Sequence, residues 1–281
     1  MTTFVLAGGG SLGAVQVGML KALAREQIVP DLVVGASVGA INAAYYAADP
    51  SEKGVERLEA FWLKLRRSDI FPLSPLGSIL GLFGRRDHIV SPAPLRSLIE
   101  SAVPYQRLEQ VRIPCHIVAT DVLKGTETVL SSGSVATAAL ASAAIPGVFP
   151  TVTIEGRHLM DGGVANNTPI STAFGLGAKR IIVLPTGMSC ALKTPPRGIV
   201  GLAMHALNLL IMRQLVTDIE RFSSRCELVV IPPLCPLATT AYDFSQSGAL
   251  IRSAEAATRL WLKQNGLQPC GAPPALLPHG H

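Results

Sequence analysis

Apolar residues in this chain fall into short unbroken runs, separated by longer stretches with helical spacing. Phe4–Ala7, Leu32–Val34, Cys115–Thr120, Lys179–Pro185 and Leu228–Ile231 read as strands, with Phe4–Ala7 and Cys115–Thr120 continuous enough to be buried. Ala14–Gln27 places Val15, Met19, Leu20 and Leu23 on one helical face and is stopped by Pro30. Further helices are predicted over Glu52–Leu65, Pro94–Ala102, Val135–Ala143, Gly198–Phe222 and Ser245–Lys263. Glu155-Gly156-Arg157 between two short runs signals a hairpin, and Glu127–Leu130 reads as the hairpin partner or neighbour of 115–120. Strand, glycine loop, helix and strand in succession make a right-handed βαβ unit, so the class is α/β with a mainly parallel sheet.

Two segments break the pattern. Residues 66–94 mix Ile70, Phe71, Leu73, Leu76, Ile79, Leu80, Leu82 and Phe83 with prolines, glycines and four arginines. They read as an insertion: a cap over an apolar pocket, a surface that meets lipid, or an ordinary packed crossover. Residues 266–281, rich in Pro, Gly and Ala, are expected to be disordered. With no repeat and no linker, residues 1–265 are assigned to one domain.

Composition narrows the function classes. The 281 residues are 48% hydrophobic and 15% charged, enough apolar content for a large core. A net charge of +5, without a Lys/Arg run or interleaved aromatics, gives mild attraction to anionic surfaces but no case for nucleic acid. Five scattered cysteines without a C-x-x-C pair indicate neither a zinc site nor a disulfide framework, and point to a reducing compartment. No basic segment precedes the first strand, and the apolar run Leu202–Met212 is too short to span a bilayer. A cytoplasmic protein is expected, with peripheral membrane contact at most.

Three glycine-marked turns carry the chemistry. Gly8-Gly9-Gly10-Ser11-Leu12-Gly13 follows a strand and opens a helix, so its N–H groups can converge on a phosphate or an oxyanion. The same glycines satisfy G-x-G-x-x-G, but a dinucleotide site needs an acidic residue near the end of the second strand. That strand instead delivers Gly35-Ala36-Ser37-Val38-Gly39, a G-x-S-x-G turn from strand to helix. Such a turn exposes its serine at a helix N-terminus, where the dipole favours a developing alkoxide. Parallel topology sets the two turns side by side.

The serine needs a base. Of the six histidines, His205 lies on an apolar helix, His116 is mid-strand, His158 reads as a hairpin residue and His279 and His281 lie in the tail. Asp161 ends a strand before Gly162-Gly163, and a partly buried carboxylate with raised pKa can take a hydroxyl proton directly. An N-cap role for Ser37 and a turn role for Asp161 are the plain alternatives.

Taken together, Gly8–Gly13, Gly35–Gly39 and Asp161-Gly162-Gly163 resemble the motifs of the patatin-like phospholipases, in order and spacing over roughly residues 4–185. Ala144–Pro150 and Asn166-Asn167-Thr168-Pro169 resemble segments that accompany them. The resemblance implies a three-layer α/β/α fold and a serine acyl hydrolase acting on lipid esters without metal or cofactor. Ser37 would be the nucleophile and Asp161 the base. Gly9 and Gly10 would supply oxyanion N–H groups, with Gly8 and Gly13 shaping the loop and Gly35 and Gly39 the elbow. Leu12 stands where many relatives carry a basic residue, which leaves simple esters open beside phospholipids. A silent lipid-binding or scaffolding protein of the same fold is the alternative.

Overall fold

Strand side chains alternate strictly between two apolar clusters, and this alternation builds the layers. The computed structural model describes residues 1–71, 88–187, 190–191, 194–196, 198–269 and 271–277. Eight strands make one sheet: β1 Thr2–Leu6, β2 Leu32–Ala36, β3 Cys115–Asp121, β4 Glu127–Leu130, β5 Val152–Ile154, β6 Arg157–Met160, β7 Arg180–Leu184 and β8 Glu227–Val230. Their order is β5-β6-β3-β2-β1-β7-β8, with β4 paired to β3 off this path. From β3 to β8 neighbours are parallel, while β4, β5 and β6 join antiparallel at the β3 side. Glu155 and Gly156, both at positive φ, close the β5–β6 hairpin as that two-residue turn requires.

Phe4, Leu6, Val33, Ile182, Leu184 and Val229 face one cluster, and Val5, Val34, Ile181, Val183 and Val230 face the other. Helices α1 Gly13–Arg25, α2 Val38–Ala48, α3 Glu52–Lys64, α4 Arg67–Ile70, α5 Ala93–Ala102 and α6 Val135–Ser142 precede α7 Gly163–Asn166 and α8 Ile170–Gly175. Two longer helices follow, α9 Ile199–Phe222 and α10 Ser247–Asn265. Residues of α1, α2, α3, α5, α6 and α10 fill the first cluster; α8 and α9 supply the second. The architecture is the expected three-layer α/β/α.

A chain of buried amides fixes the upper end of the sheet. The Trp62 indole N–H donates to Asn42 Oδ1 at 2.9 Å, and Asn42 Nδ2 donates to Gln16 Oε1 and the Gly13 carbonyl at 2.8 and 3.0 Å. Gln16 Nε2 then donates to the carbonyls of Ala7 and Leu184 at 2.8 and 2.9 Å. The glycine turn is thus held at both ends by side chains from α1 and α2. Buried polar groups left without partners each cost about 1–3 kcal/mol. Asn42→Leu strips partners from Trp62, Gln16 and Gly13, so urea denaturation is expected to show a loss of about 2–4 kcal/mol.

Part of the tail 266–281, expected to be disordered, is among the described residues. Arg180 donates to the Leu267 carbonyl at 2.8 Å, Pro274–Leu276 form a 3-10 turn, and Leu276 is buried in the second cluster. Of the expected cap over 66–94, residues 72–87 lie outside the described residues. The flanking Phe71 stacks on Phe149 and meets Tyr242 edge-on, and His88 bridges to Gly147.

Candidate active site

Strand register decides which residues meet. Leu6 pairs with Gly35 and Leu184, and Ala36 with Val118, so the turns after β1, β2 and β7 open at one edge of the sheet. β6 arrives from the opposite direction, with Met160 opposite Thr120, which brings the next residue, Asp161, down to the level of Ser37. The carboxylate therefore comes from an antiparallel strand rather than from a loop of the parallel set.

Ser37 sits at φ 53° and ψ −126°, a backbone conformation unfavourable for a side chain and characteristic of a sharp strand-to-helix turn. Two features hold it there. Its N–H donates to Ser142 Oγ at 2.8 Å, and that hydroxyl donates to the Val118 carbonyl at 2.5 Å. Gly39 lies against β1, where a Cβ would come 2.2 Å from the Leu6 carbonyl oxygen. Gly35 in turn packs against Gly39. Ser142→Ala removes the acceptor for the Ser37 amide, and a loss of about 1–3 kcal/mol in chemical denaturation is expected.

The Ser37 hydroxyl donates to Asp161 Oδ2 at 2.7 Å, and the Gly163 N–H donates to Asp161 Oδ1 at 2.7 Å. Both side chains are buried, with Ser37 8% and Asp161 6% exposed. Burial pushes the Asp161 carboxyl from its ordinary 3.8 up to about 6, and the hydrogen bonds from Ser37 and Gly163 offset part of that rise. The Asp161 backbone is clamped too: its N–H donates to the Ala144 carbonyl, and its carbonyl accepts from Thr120 Oγ1 at 2.8 Å. Gly162 has no room for a Cβ, which would lie 2.1 Å from the Val118 carbonyl oxygen.

The four glycines of the first turn divide into two pairs. The Gly8 N–H donates to the Asn167 carbonyl at 3.0 Å, and the Gly13 N–H turns back to Gly10 and Ser11 carbonyls. Neither is therefore a donor to a ligand. Gly9 and Gly10 N–H groups have no acceptor among the described residues, and both residues line the same cleft as Ser37 and Asp161. Gly10 has φ 58°, and its Cβ position is occupied by the Ala241 carbonyl. Leu12 is buried and also lines the cleft.

The cleft is open to solvent. Ile145, Pro146, Leu207, Ile211, Met212 and Leu215 give it an apolar wall. Among the described residues that line it, Asp161 and Tyr242 are the ionisable ones, and no histidine takes part. Ionisation of Tyr242 is pushed up to about 12 by burial and by the neighbouring Asp161 charge. No group of three or more metal-ligating side chains occurs among the described residues.

Sequence reasoning missed the supporting residues. Ser142 sits in a small-residue helix that carries no chemical signal, and Thr120 ends an apolar strand. Thr186 Oγ1 donates to the Gly8 carbonyl at 2.7 Å, and Ser11 is held by the carbonyls of Thr240 and Ala241, more than 200 positions away. Pairings of that range leave no local trace.

Comparison with known proteins matches these features to a family. The family model described as patatin-like phospholipase matches residues 4–174, which contain all three turns. Patatin-like phospholipase domain-containing protein 6 of Homo sapiens is 30% identical over 185 residues, covering 65% of this chain and 13% of that protein. Neuropathy target esterase sws of Drosophila melanogaster is 28% identical over 186 residues, again covering 65% of this chain and 13% of the relative. The chain thus matches a small part of the length of these relatives. Among solved structures, VipD from Legionella pneumophila aligns with 94% of this chain and 66% of its own, at 15% identity and a TM-score of 0.46. A human GIVD cytosolic phospholipase A2 complex aligns with 94% of this chain and 58% of its own, at 13% identity and a TM-score of 0.48. With a family model spanning more than half of its residues, this chain belongs to the patatin-like phospholipase family.

Proposed function

We propose that this protein is a serine acyl hydrolase that cleaves carboxylic esters of lipids through Ser37 and Asp161. The observation that carries the reading is the 2.7 Å hydrogen bond from the Ser37 hydroxyl to a buried carboxylate, beside two N–H groups that have no acceptor among the described residues. As Ser37 Oγ attacks the ester carbonyl, its proton passes to Asp161 Oδ2. The tetrahedral oxygen takes up the charge, and the Gly9 and Gly10 N–H groups stabilise it. Collapse expels the alcohol, which leaves with the proton from Asp161, and an acyl-Ser37 ester remains. Water then attacks that ester with Asp161 again taking the proton, and the acid is released. No step calls for a metal or cofactor.

The apolar wall from α9 and from Ile145 suits an acyl chain. No lysine or arginine occurs among the described lining residues, which favours esters whose leaving group carries no phosphate beside the scissile bond. A panel of p-nitrophenyl esters, monoacylglycerols, lysolipids and phospholipids tests this. Hydrolysis abolished by Ser37→Ala is expected, strongest on uncharged esters. Absence of turnover on every ester class, with the protein folded, would favour the silent lipid-binding alternative.

The base must be ionised to act, and its pKa lies near 6. Hydrolysis is expected to rise through about pH 6 and level off above it. A profile flat between pH 5 and 8 would remove Asp161 from the mechanism.

Peripheral lipid contact belongs to the same reading. Leu202, Leu209 and Leu210 on α9 are 58%, 42% and 63% exposed, while Leu207 and Ile211 on the same helix line the cleft. No helix among the described residues is long and apolar enough to cross a membrane. Replacing Leu209 and Leu210 with serine is expected to weaken co-sedimentation with phosphatidylcholine vesicles severalfold, with hydrolysis of a dispersed short-chain ester unchanged.

A further inference from the structure

Two loops clasp the glycine turn from opposite sides. The loop after β7 provides Pro185, Thr186 and Gly187 to the cleft, and Thr186 holds the Gly8 carbonyl. The loop after β8 provides Ala241 and Tyr242, and holds Ser11 through the Thr240 and Ala241 carbonyls. The two loops meet each other at a pair of cysteines. Cys190 Sγ lies 3.6 Å from Cys235 Sγ, the Leu237 N–H donates to Cys190 Sγ at 3.4 Å, and the Ala191 N–H donates to the Leu237 carbonyl at 3.1 Å. Backbone as well as sulfur is therefore in register between residues 45 positions apart.

We propose that Cys190 and Cys235 form a reversible disulfide that, when oxidised, staples the two loops around the glycine turn. A disulfide needs the sulfurs to close to about 2.05 Å, with the two Cβ atoms roughly 3.5–4.5 Å apart. At 3.6 Å the two sulfurs are already neighbours, and about 1.5 Å of approach brings them to bonding distance. Cys115 is buried inside the sheet, and the Cys226 thiol, in the turn before β8, contacts the Phe222 carbonyl at the end of α9, so neither competes for this pairing.

The oxidant is a peroxide. Cys235 is the exposed member and reacts first. Its thiolate attacks a peroxide oxygen, the O–O bond breaks, and a sulfenic acid and one water result. The Cys190 thiolate then attacks the Cys235 sulfur and displaces the hydroxyl as a second water. Two thiols lose two protons and two electrons, and one hydrogen peroxide takes them up to become two waters. Partial burial and the adjacent Cys190 sulfur push the Cys235 thiol up, so the reaction is faster in mild alkali. A cellular thiol pool reverses the bond by exchange.

The test uses the full chain treated with hydrogen peroxide at pH 8.5 and digested without reductant. A tryptic peptide containing Cys190 is expected to be joined to the one containing Cys235, two hydrogens lighter than the sum, and to separate on reduction. Cys226 lies on the same tryptic peptide as Cys235, so Cys226→Ser is run alongside and is expected to keep the link. Cys190→Ser and Cys235→Ser are each expected to lose it. Closing a loop of this size typically raises Tm, and oxidised wild type is expected to melt at least about 4 °C above reduced wild type. The Cys190→Ser/Cys235→Ser double variant should show no such shift. Failure of the link to form, its survival in Cys235→Ser, or a link that leaves Tm unchanged would each overturn the proposal. None of these readouts depends on ester hydrolysis.

Discussion

Ser37→Ala is expected to lower ester hydrolysis roughly 10³-fold or more while the protein melts within a few degrees of wild type. The size of the effect follows from the covalent route proposed: without Oγ no acyl-enzyme can form, and only water near the Gly9 and Gly10 N–H groups is left to attack. The fold should tolerate the change because the elbow is held by backbone and neighbours. The Ser37 N–H to Ser142 bond and the approach of Gly39 to Leu6 are both independent of the hydroxyl. Steady-state kinetics with p-nitrophenyl butyrate, beside circular dichroism and a thermal melt, separates loss of chemistry from loss of structure. Turnover within tenfold of wild type would assign the nucleophile elsewhere.

Asp161→Asn is expected to be nearly as damaging and, unusually for a buried site, stabilising. Asparagine keeps the shape and the contact from the Gly163 N–H, but it cannot take the serine proton, so a loss of about 10³–10⁴ in turnover is expected. The stability effect follows from the raised pKa. Folding lifts this carboxyl from 3.8 to about 6, so the native state binds its proton more tightly than the unfolded chain does. Its contribution to stability is therefore complete below the unfolded pKa of 3.8 and is lost as pH rises through about 6. A difference of about two units corresponds to about 3 kcal/mol, so at pH 8 the ionised wild type carries a burden the amide does not. Urea unfolding at pH 8 should put the variant about 1–3 kcal/mol above wild type, with the gap closing near pH 4. In the proposed mechanism the same burial suits Asp161 to act as base near neutrality and makes its ionised form a liability to the fold.

Much of this arrangement was legible in the chain because the motifs are local. Gly35-Ala36-Ser37-Val38-Gly39 specifies its own turn, since the positive φ of Ser37 and the approach of Gly39 to β1 follow from the strand-to-helix junction. The succession of strand, glycine loop, helix and strand made the parallel sheet readable, and the structure divides Phe4, Val5 and Leu6 between its two faces. The direction of β6 was not readable: a strand of four residues pairs either way, and only its hairpin with β5 sets it antiparallel to β3. Nor did the residues behind the site announce themselves. Ser142, Gln16, Asn42 and Trp62 act through side-chain bonds across 20 to more than 100 positions, and their residue types are common in any core or helix. At the tail, composition carried no sign of the contact by which Leu276 joins the second cluster.

The central claim is that the Ser37 oxygen is made nucleophilic by the carboxylate touching it. A fluorophosphonate probe followed by intact-mass and peptide mass spectrometry addresses it without a known substrate. One adduct per chain, located on Ser37, forming with a rate that climbs through about pH 6 and drops by orders of magnitude in Asp161→Asn, is the predicted result. Labelling of another residue, or labelling of Ser37 at an undiminished rate in Asp161→Asn, would contradict it.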